Sequence, residues 1–77
     1  MIGRLRIELL APERYGVVFI PYQGGGALNR REFTGRAALE RHLAALEISP
    51  AEVEVGLKRL DEMGLHGFEN FELSTTP

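Results

Sequence analysis

The residues best suited to bind a partner are arginines that lie close to a run of glycines. The segment contains Gly24, Gly25, Gly26, Arg30, Arg31 and Arg36. A mobile glycine loop rimmed by guanidinium groups can close over an anion, since arginine offers a planar pair of donors. The helix expected to follow would add its N-terminal N–H groups and dipole. These residues are therefore candidates for binding a phosphate, a nucleic-acid backbone or an acidic protein surface.

The glycine run lacks the other parts of a phosphate-binding P-loop. That motif needs a lysine followed by serine or threonine after its last glycine. Here the sequence continues with Ala27, Leu28 and Asn29. The alternative interpretation is a flexible crossover from a sheet to the helices.

Two more arginines belong to a predicted strand over residues 4–10. Its residues alternate between two faces, an apolar one with Leu5, Ile7 and Leu9 and a charged one with Arg4, Arg6 and Glu8. Strict alternation is typical of a strand with one buried face. Arg4 and Arg6 therefore point away from the core and join the candidate anion-binding or partner-binding residues.

The second predicted strand, residues 16–22, is apolar on both faces. Val17 and Phe19 lie on one face, and Val18, Ile20 and Tyr22 lie on the other. Its β-branched and aromatic residues favour a strand that forms an antiparallel hairpin with the first. Since only one set can reach the same core, the other forms a subunit interface or is covered by loops or the tail.

The helices are defined by their capping residues. Thr34 is the expected cap of a first helix over residues 35–46. A second helix over residues 50–63 has a capping box of Ser49 and Glu52 and a proline at its first position. Gly64 can adopt the left-handed conformation that ends it.

A third strand is expected over residues 68–74, with Phe71 and Leu73 buried and Phe68 out of step with them. The predicted order is β-β-α-α-β in one domain over residues 1–77. A three-stranded, mainly antiparallel sheet packed on a helical pair buries every apolar stripe. The predicted fold is a two-layer α+β sandwich.

The segment 38–65 resembles helix-turn-helix and winged-helix DNA-binding families. The run Leu43–Ser49 is followed by Val53, Leu57, Leu60 and then Gly64-Leu65. The resemblance implies that the second helix enters the major groove. By position, it implies base contacts from Ala51, Glu52, Val55 and Lys58. The exposed surface of that helix has a net charge of −2, which directs the nucleic-acid alternative to the arginines instead.

Charge is distributed unevenly along the chain, which carries a net charge of −2. Residues 1–41 carry seven arginines against four glutamates, and residues 42–77 carry two basic against seven acidic side chains. This pattern indicates either ordinary solvated surfaces or a basic face for an anionic partner. Head-to-tail self-association through opposite charges is a further alternative.

The inventory of chemical groups argues against an enzyme. The chain has no cysteine and only two histidines, His42 and His66, without a metal-ligand or catalytic spacing. No apolar run reaches the roughly 18 residues of a membrane helix, and the first ten residues do not read as a signal peptide. We therefore expect a cytoplasmic protein without metal or cofactor.

The expected function is a non-catalytic protein–protein interaction or regulatory module, because a chain of this size builds only a small core. The expected partner is a second copy or a larger protein, bound through the sheet or the arginine-rimmed loop. The alternative is a nucleic-acid-binding protein that uses the arginines or a divergent helix-turn-helix.

Overall fold

The computed structural model describes residues 1–26 and 30–77 as an α+β fold with one sheet and two helices. Its elements are β1 (Gly3–Ala11), β2 (Arg14–Pro21), β3 (Arg31–Thr34), α1 (Arg36–Ala45), α2 (Pro50–Met63) and β4 (Phe68–Leu73). The sheet has the strand order β3-β2-β1-β4, and every neighbouring pair is antiparallel.

The hairpin of β1 and β2 forms as the alternation predicts. Leu5 lies opposite Phe19, and Ile7 lies opposite Val17. The strand β2 begins at Arg14, two residues before the predicted start, because only Pro12 and Glu13 form the turn and Arg14 already pairs with Ala11. Glu13 takes the left-handed conformation, with φ 59°.

Both helices lie on one face of the sheet and enclose one hydrophobic core. The strands contribute Leu5, Ile7, Leu9, Tyr15, Val17, Phe19, Phe71 and Leu73. The helices and the turn between them contribute Leu39, Leu43, Leu46, Ile48, Leu57 and Leu60. The apolar residues that alternate along the strands therefore pack against those that repeat along the helices, as the sequence predicts.

The prediction of a three-stranded sheet is wrong, because β3 adds a fourth strand before the first helix. Its four residues include one apolar side chain, Phe33, which is too weak a pattern to indicate a strand. Pairing of Tyr15 with Phe33 forms it instead. Thr34 ends β3, and the residue that precedes α1 is Gly35, with φ 89° and no side-chain cap. The glycine loop therefore leads to β3 and not directly to a helix, and residues 27–29 of the predicted crossover lie outside the described residues.

The turn between the helices is a Schellman motif. The N–H of Glu47 donates to the carbonyl of Ala44, and the N–H of Ile48 donates to that of Leu43. Glu47 has φ 61°, a conformation in which glycine is the usual residue. Ser49 then caps α2 by accepting from the N–H of Glu52, and Gly64 ends that helix with φ 79°. The predicted second helix is confirmed at both ends.

The last strand, β4, pairs with β1 in one unbroken register from Phe68 to Leu73. Phe68 is thus part of the strand and lies on the face opposite to Phe71, which explains why it is out of step with the buried residues. Within the described residues, neither helix has the length and apolar character needed to cross a membrane.

Candidate functional site

No helix or strand of the described residues covers the second face of the sheet, which we call the open face. It is formed by the outward side chains of all four strands, among them Arg4, Arg6, Glu8, Val18, Ile20 and Phe68. Alternate residues of a strand point to opposite sides of the sheet. Because Leu5, Ile7 and Leu9 are buried under the helices, the residues between them must point to the open face.

At one corner of the open face, Arg4 contacts the aromatic ring of Tyr22. Its guanidinium carbon lies 5.8 Å from the ring centre, within the range of a cation–π contact. The Tyr22 hydroxyl donates a hydrogen bond to Glu72 of β4, and this bond raises the pKa of Tyr22. A tyrosine after β2 and a glutamate of β4 therefore meet above β1.

A second and closer stack joins β1 to β4. The guanidinium carbon of Arg6 lies 4.0 Å from the centre of the Phe68 ring. Phe68 is still 43% exposed, although an apolar ring of this size is usually buried. Arg6 is half-buried, and a long arginine stem can cover apolar surface while its charged head stays in water.

The third part of the open face lies near β3. Arg14 forms an ion pair with Glu32 across β2 and β3, with an N–O distance of 2.6 Å. The guanidinium of Arg30 lies over Gly16, where the nearest nitrogen is 2.8 Å from the position that a Cβ atom would occupy. A larger residue at position 16 would push this arginine away.

Apolar and charged groups alternate across the open face. Val18 lies near the middle of the inner strand β2 and Ile20 near its end, and both are half-buried. Four arginines (Arg4, Arg6, Arg14 and Arg30) surround them together with three glutamates (Glu8, Glu32 and Glu72). The face is therefore nearly neutral, and both signs of charge lie within one surface.

The predicted arginine cluster is divided between the two sides of the sheet. Arg4, Arg6 and Arg30 lie on the open face. Arg31 lies opposite Val17 in β3, which places it on the helix side. Arg36 is also on the helix side, where it forms an ion pair with Asp61 and donates to the Tyr15 hydroxyl over 3.5 Å. Tyr15, followed by Asp61, raises the pKa of Arg36.

The glycines do not form a cradle with these arginines in the described residues. Gly24, Gly25 and Gly26 all have positive φ angles, and no atom lies within 4 Å of the Cβ position of any of them. They are exposed and project from the end of β2. Arg4, Arg6 and Arg30 share the open face, but Arg30 lies over Gly16 while Arg4 lies beside Tyr22, toward the other end of the β1–β2 hairpin.

The two histidines lie in different elements and different environments. His42 of α1 packs on Phe33, with 4.7 Å between the ring centres. Burial, and then the charge of Arg31, lowers its pKa. His66 lies in the turn before β4 and has φ 69°. In residues 1–26 and 30–77, no three His, Asp or Glu side chains are arranged to hold a metal ion.

The residues implied by the helix-turn-helix resemblance lie along α2. Ala51, Glu52 and Val55 line a shallow groove of about 520 Å³ beside β4. Lys58 lines a second groove of about 570 Å³ between α1 and α2, whose rim carries Glu40, Glu54 and Asp61. Acidic side chains outnumber basic ones in both grooves, three to one in the first and three to two in the second, which does not favour contact with phosphates.

Comparison with protein-family models, with curated proteins and with solved structures finds no match for this chain.

Several residues of the open face were not predicted as site residues, among them Phe68 and Glu72 of β4 and the Arg14–Glu32 pair. The three-residue spacing between Phe68 and Phe71 is the signal that could have found the first, because in an unbroken strand it places the two rings on opposite faces. Glu72 shares that parity with Phe68, and its contact with Tyr22 depends on the strand order.

Proposed function

We propose that this chain is a small, non-catalytic protein–protein interaction module that forms a homodimer through its open face. The observation that carries the proposal is a sheet covered by helices on one side only, with the half-buried apolar side chains Val18 and Ile20 of the inner strand β2 on the other side. Covering these side chains removes apolar area from water at about 25 cal/mol per Å². Exposed Phe68 and Tyr22 add aromatic anchors at the rim.

The dimensions of the open face support an interface between two copies. At normal strand spacing, the four strands span roughly 20 Å, and about seven residues of each long strand span roughly 23 Å. The accessible side-chain area on such a face is of the same order as the ~800 Å² that each partner contributes to a standard interface. Two such sheets would pack about 10 Å apart.

The mixture of charges favours a second copy of the chain as the binding partner, rather than a molecule that carries one strong charge. Four arginines and three glutamates leave the open face with almost no net charge. A surface with both signs can complement itself when it is rotated onto a second copy. A partner of one charge would meet repulsion from part of the same surface.

The test compares one substitution on the open face with a matched one on a helix. Val18→Lys places a charge at the centre of the open face, while Val55→Lys places the same charge on α2, where Val55 is 49% exposed. We expect a dimer for the wild-type chain and for Val55→Lys in analytical ultracentrifugation, and a monomer for Val18→Lys. Circular dichroism checks that each variant is folded. A wild-type chain that stays monomeric up to millimolar concentration contradicts the proposal.

The two arginine–aromatic stacks favour single-stranded nucleic acid as a second candidate. Aromatic rings and arginines on an open sheet can stack bases and contact phosphates. Arg4 and Arg6 are already placed on Tyr22 and Phe68, but Glu8 and Glu72 lie beside them and repel phosphates. Titration of labelled DNA and RNA at two salt concentrations decides between the candidates, because phosphate contacts weaken steeply as salt rises.

A further inference from the structure

The charges along β1 restrict how two open faces can be placed on one another. Arg4, Arg6 and Glu8 point outward from this strand at intervals of two residues, which is about 6.6 Å. Arg6 and Glu8 are half-buried. Among residues 1–26 and 30–77, neither belongs to an ion pair, since the pairs are Arg14–Glu32, Arg36–Asp61 and Arg59–Glu69.

Two-fold symmetry makes the contacts reciprocal. If residue i of one copy meets residue j of the other, then j of the first also meets i of the second. When two sheets pack face to face with roughly aligned strands, an axis that runs across the strands places β1 antiparallel over β1 of the second copy. The position of the axis along β1 then decides which side chains meet.

Of the positions over the middle of β1, only an axis at Ile7 brings unlike charges together without also opposing like charges. An axis at Leu5 places Arg4 against Arg6 twice. An axis at Arg6 pairs Arg4 with Glu8 but places Arg6 against itself at the centre, and an axis at Glu8 places that glutamate against itself. An axis at Ile7 places Arg6 of each copy against Glu8 of the other. Because like charges that are desolvated at an interface are costly, the other three positions are disfavoured.

We propose that two copies pack open face to open face about a two-fold axis at Ile7, with two reciprocal Arg6–Glu8 ion pairs between the copies. This inference rests on the proposed function and specifies how β1 of one copy is aligned with β1 of the second copy. Ile7 lies level with Val17 of β2 and with Glu69 of β4.

The neighbouring strands fit the same axis. It places Val18 over Gly16 of the second copy, where the flat guanidinium of Arg30 lies, and Phe68 over Asn70. None of these contacts joins like charges. Arg6 therefore contacts Phe68 within its own copy and Glu8 of the second copy at the centre of the interface.

Charge reversal tests the register in the full chain. Arg6→Glu alone places two glutamates against each other at both contacts, and Glu8→Arg alone does the same with two arginines. We expect each single variant to weaken the dimer by about tenfold or more. The double variant Arg6→Glu/Glu8→Arg restores unlike pairs, and an equimolar mixture of the two single variants forms heterodimers. Analytical ultracentrifugation measures all four samples, with circular dichroism as the control for folding.

The outcomes separate this inference from the proposed function. If the wild-type chain is a dimer and the double variant and the mixture recover dimerisation, the axis at Ile7 is supported. The proposed register is wrong, while the proposed function stands, if the wild-type chain is a dimer and both single variants dimerise as well as it does. The same conclusion follows if neither the double variant nor the mixture of single variants recovers dimerisation. If the wild-type chain is a monomer, the proposed function fails and this inference fails with it.

Discussion

The guanidinium of Arg6 lies 4.0 Å from the centre of the Phe68 ring, on the side of the sheet that faces away from both helices. An arginine of a central strand is therefore held by an aromatic residue of an edge strand. The contact fixes a long side chain that would otherwise sample many rotamers, which lowers the entropy lost when a partner binds it.

This contact is expected to show a measurable coupling energy. Arg6→Met and Phe68→Leu each remove one side of the stack while keeping most of the apolar volume. In a double-mutant cycle at fixed protein concentration, urea denaturation should give a coupling of about 0.5–1 kcal/mol, the usual strength of a cation–π contact near the surface. The control is the double-mutant cycle of Arg6→Met with Leu65→Ala, because Leu65 lies outside the strands. Equal coupling energies in the two cycles would refute a specific contact between Arg6 and Phe68.

Gly56→Ala should destabilise the protein although alanine is the better helix former. The added Cβ would lie 2.4 Å from Cζ of Phe71, which is buried between α2 and β4. Alanine gains about 1 kcal/mol in helix propensity, while forced repacking costs about 1–3 kcal/mol. We expect a net loss in the free energy of unfolding, measured by urea denaturation.

The control for this prediction removes the clash and keeps the alanine. Phe71→Leu alone loses packing, but Gly56→Ala added to Phe71→Leu should cost less than Gly56→Ala added to the wild type. Additive effects of the two substitutions would show that the contact between α2 and β4 is looser than the structure indicates.

Glu47→Gly should stabilise the turn between the two helices. Glu47 has φ 61° at the left-handed position of the Schellman motif, where a residue with a Cβ is strained by about 1 kcal/mol. Glycine relieves this strain, so the melting temperature is expected to rise by about 4–8 °C per kcal/mol for a domain of this size. The substitution also removes the exposed hydrogen bond that the Thr75 hydroxyl donates to the Glu47 carboxylate, which offsets part of the gain in stability.

Glu47→Ala separates the two contributions, since alanine also loses the contact with Thr75 but keeps the strained conformation. It is expected to melt at or below the wild-type temperature. A gain in melting temperature for alanine as large as that for glycine would exclude backbone strain as the cause.

His42 should make stability fall as the pH is lowered. Burial, and then Arg31, holds the pKa of His42 below its ordinary value of 6.5, so the folded chain binds the proton less well than the unfolded chain. The stability is fully present above pH 6.5 and is lost as the pH falls from there through the folded pKa. NMR titration of the ring should give a midpoint below 6.5, and His42→Gln should flatten this part of the stability profile. A midpoint at or above 6.5 is incompatible with this environment.

Much of the fold was predictable because local signals agreed with the tertiary structure. The capping residues Ser49 and Gly64 define both ends of α2, and alternation in β1 separates Leu5 and Ile7 from Arg4 and Arg6. These signals act within a few residues, so the sequence carries them directly.

The fourth strand and the composition of the site were harder to predict, because both depend on pairing between distant segments. Phe33 is a single apolar residue that becomes part of a strand only beside Tyr15. Arg30 and Arg31 are neighbours in sequence, yet β3 directs Arg31 to the helix side while Arg30 covers Gly16 on the open face. Neighbouring positions in the chain therefore predicted one arginine cluster, whereas the fold divides these arginines between the two faces of the sheet.

The most direct measurement of the central claim is an isotope-filtered NMR experiment on a mixture of labelled and unlabelled chains. If the open face joins two copies, contacts between copies must appear at the methyl groups of Val18 and Ile20 and be absent at those of Val53 and Val55 in α2. Contacts between copies at the α2 methyl groups, or none at concentrations where the chain is dimeric, would contradict dimerisation through the open face.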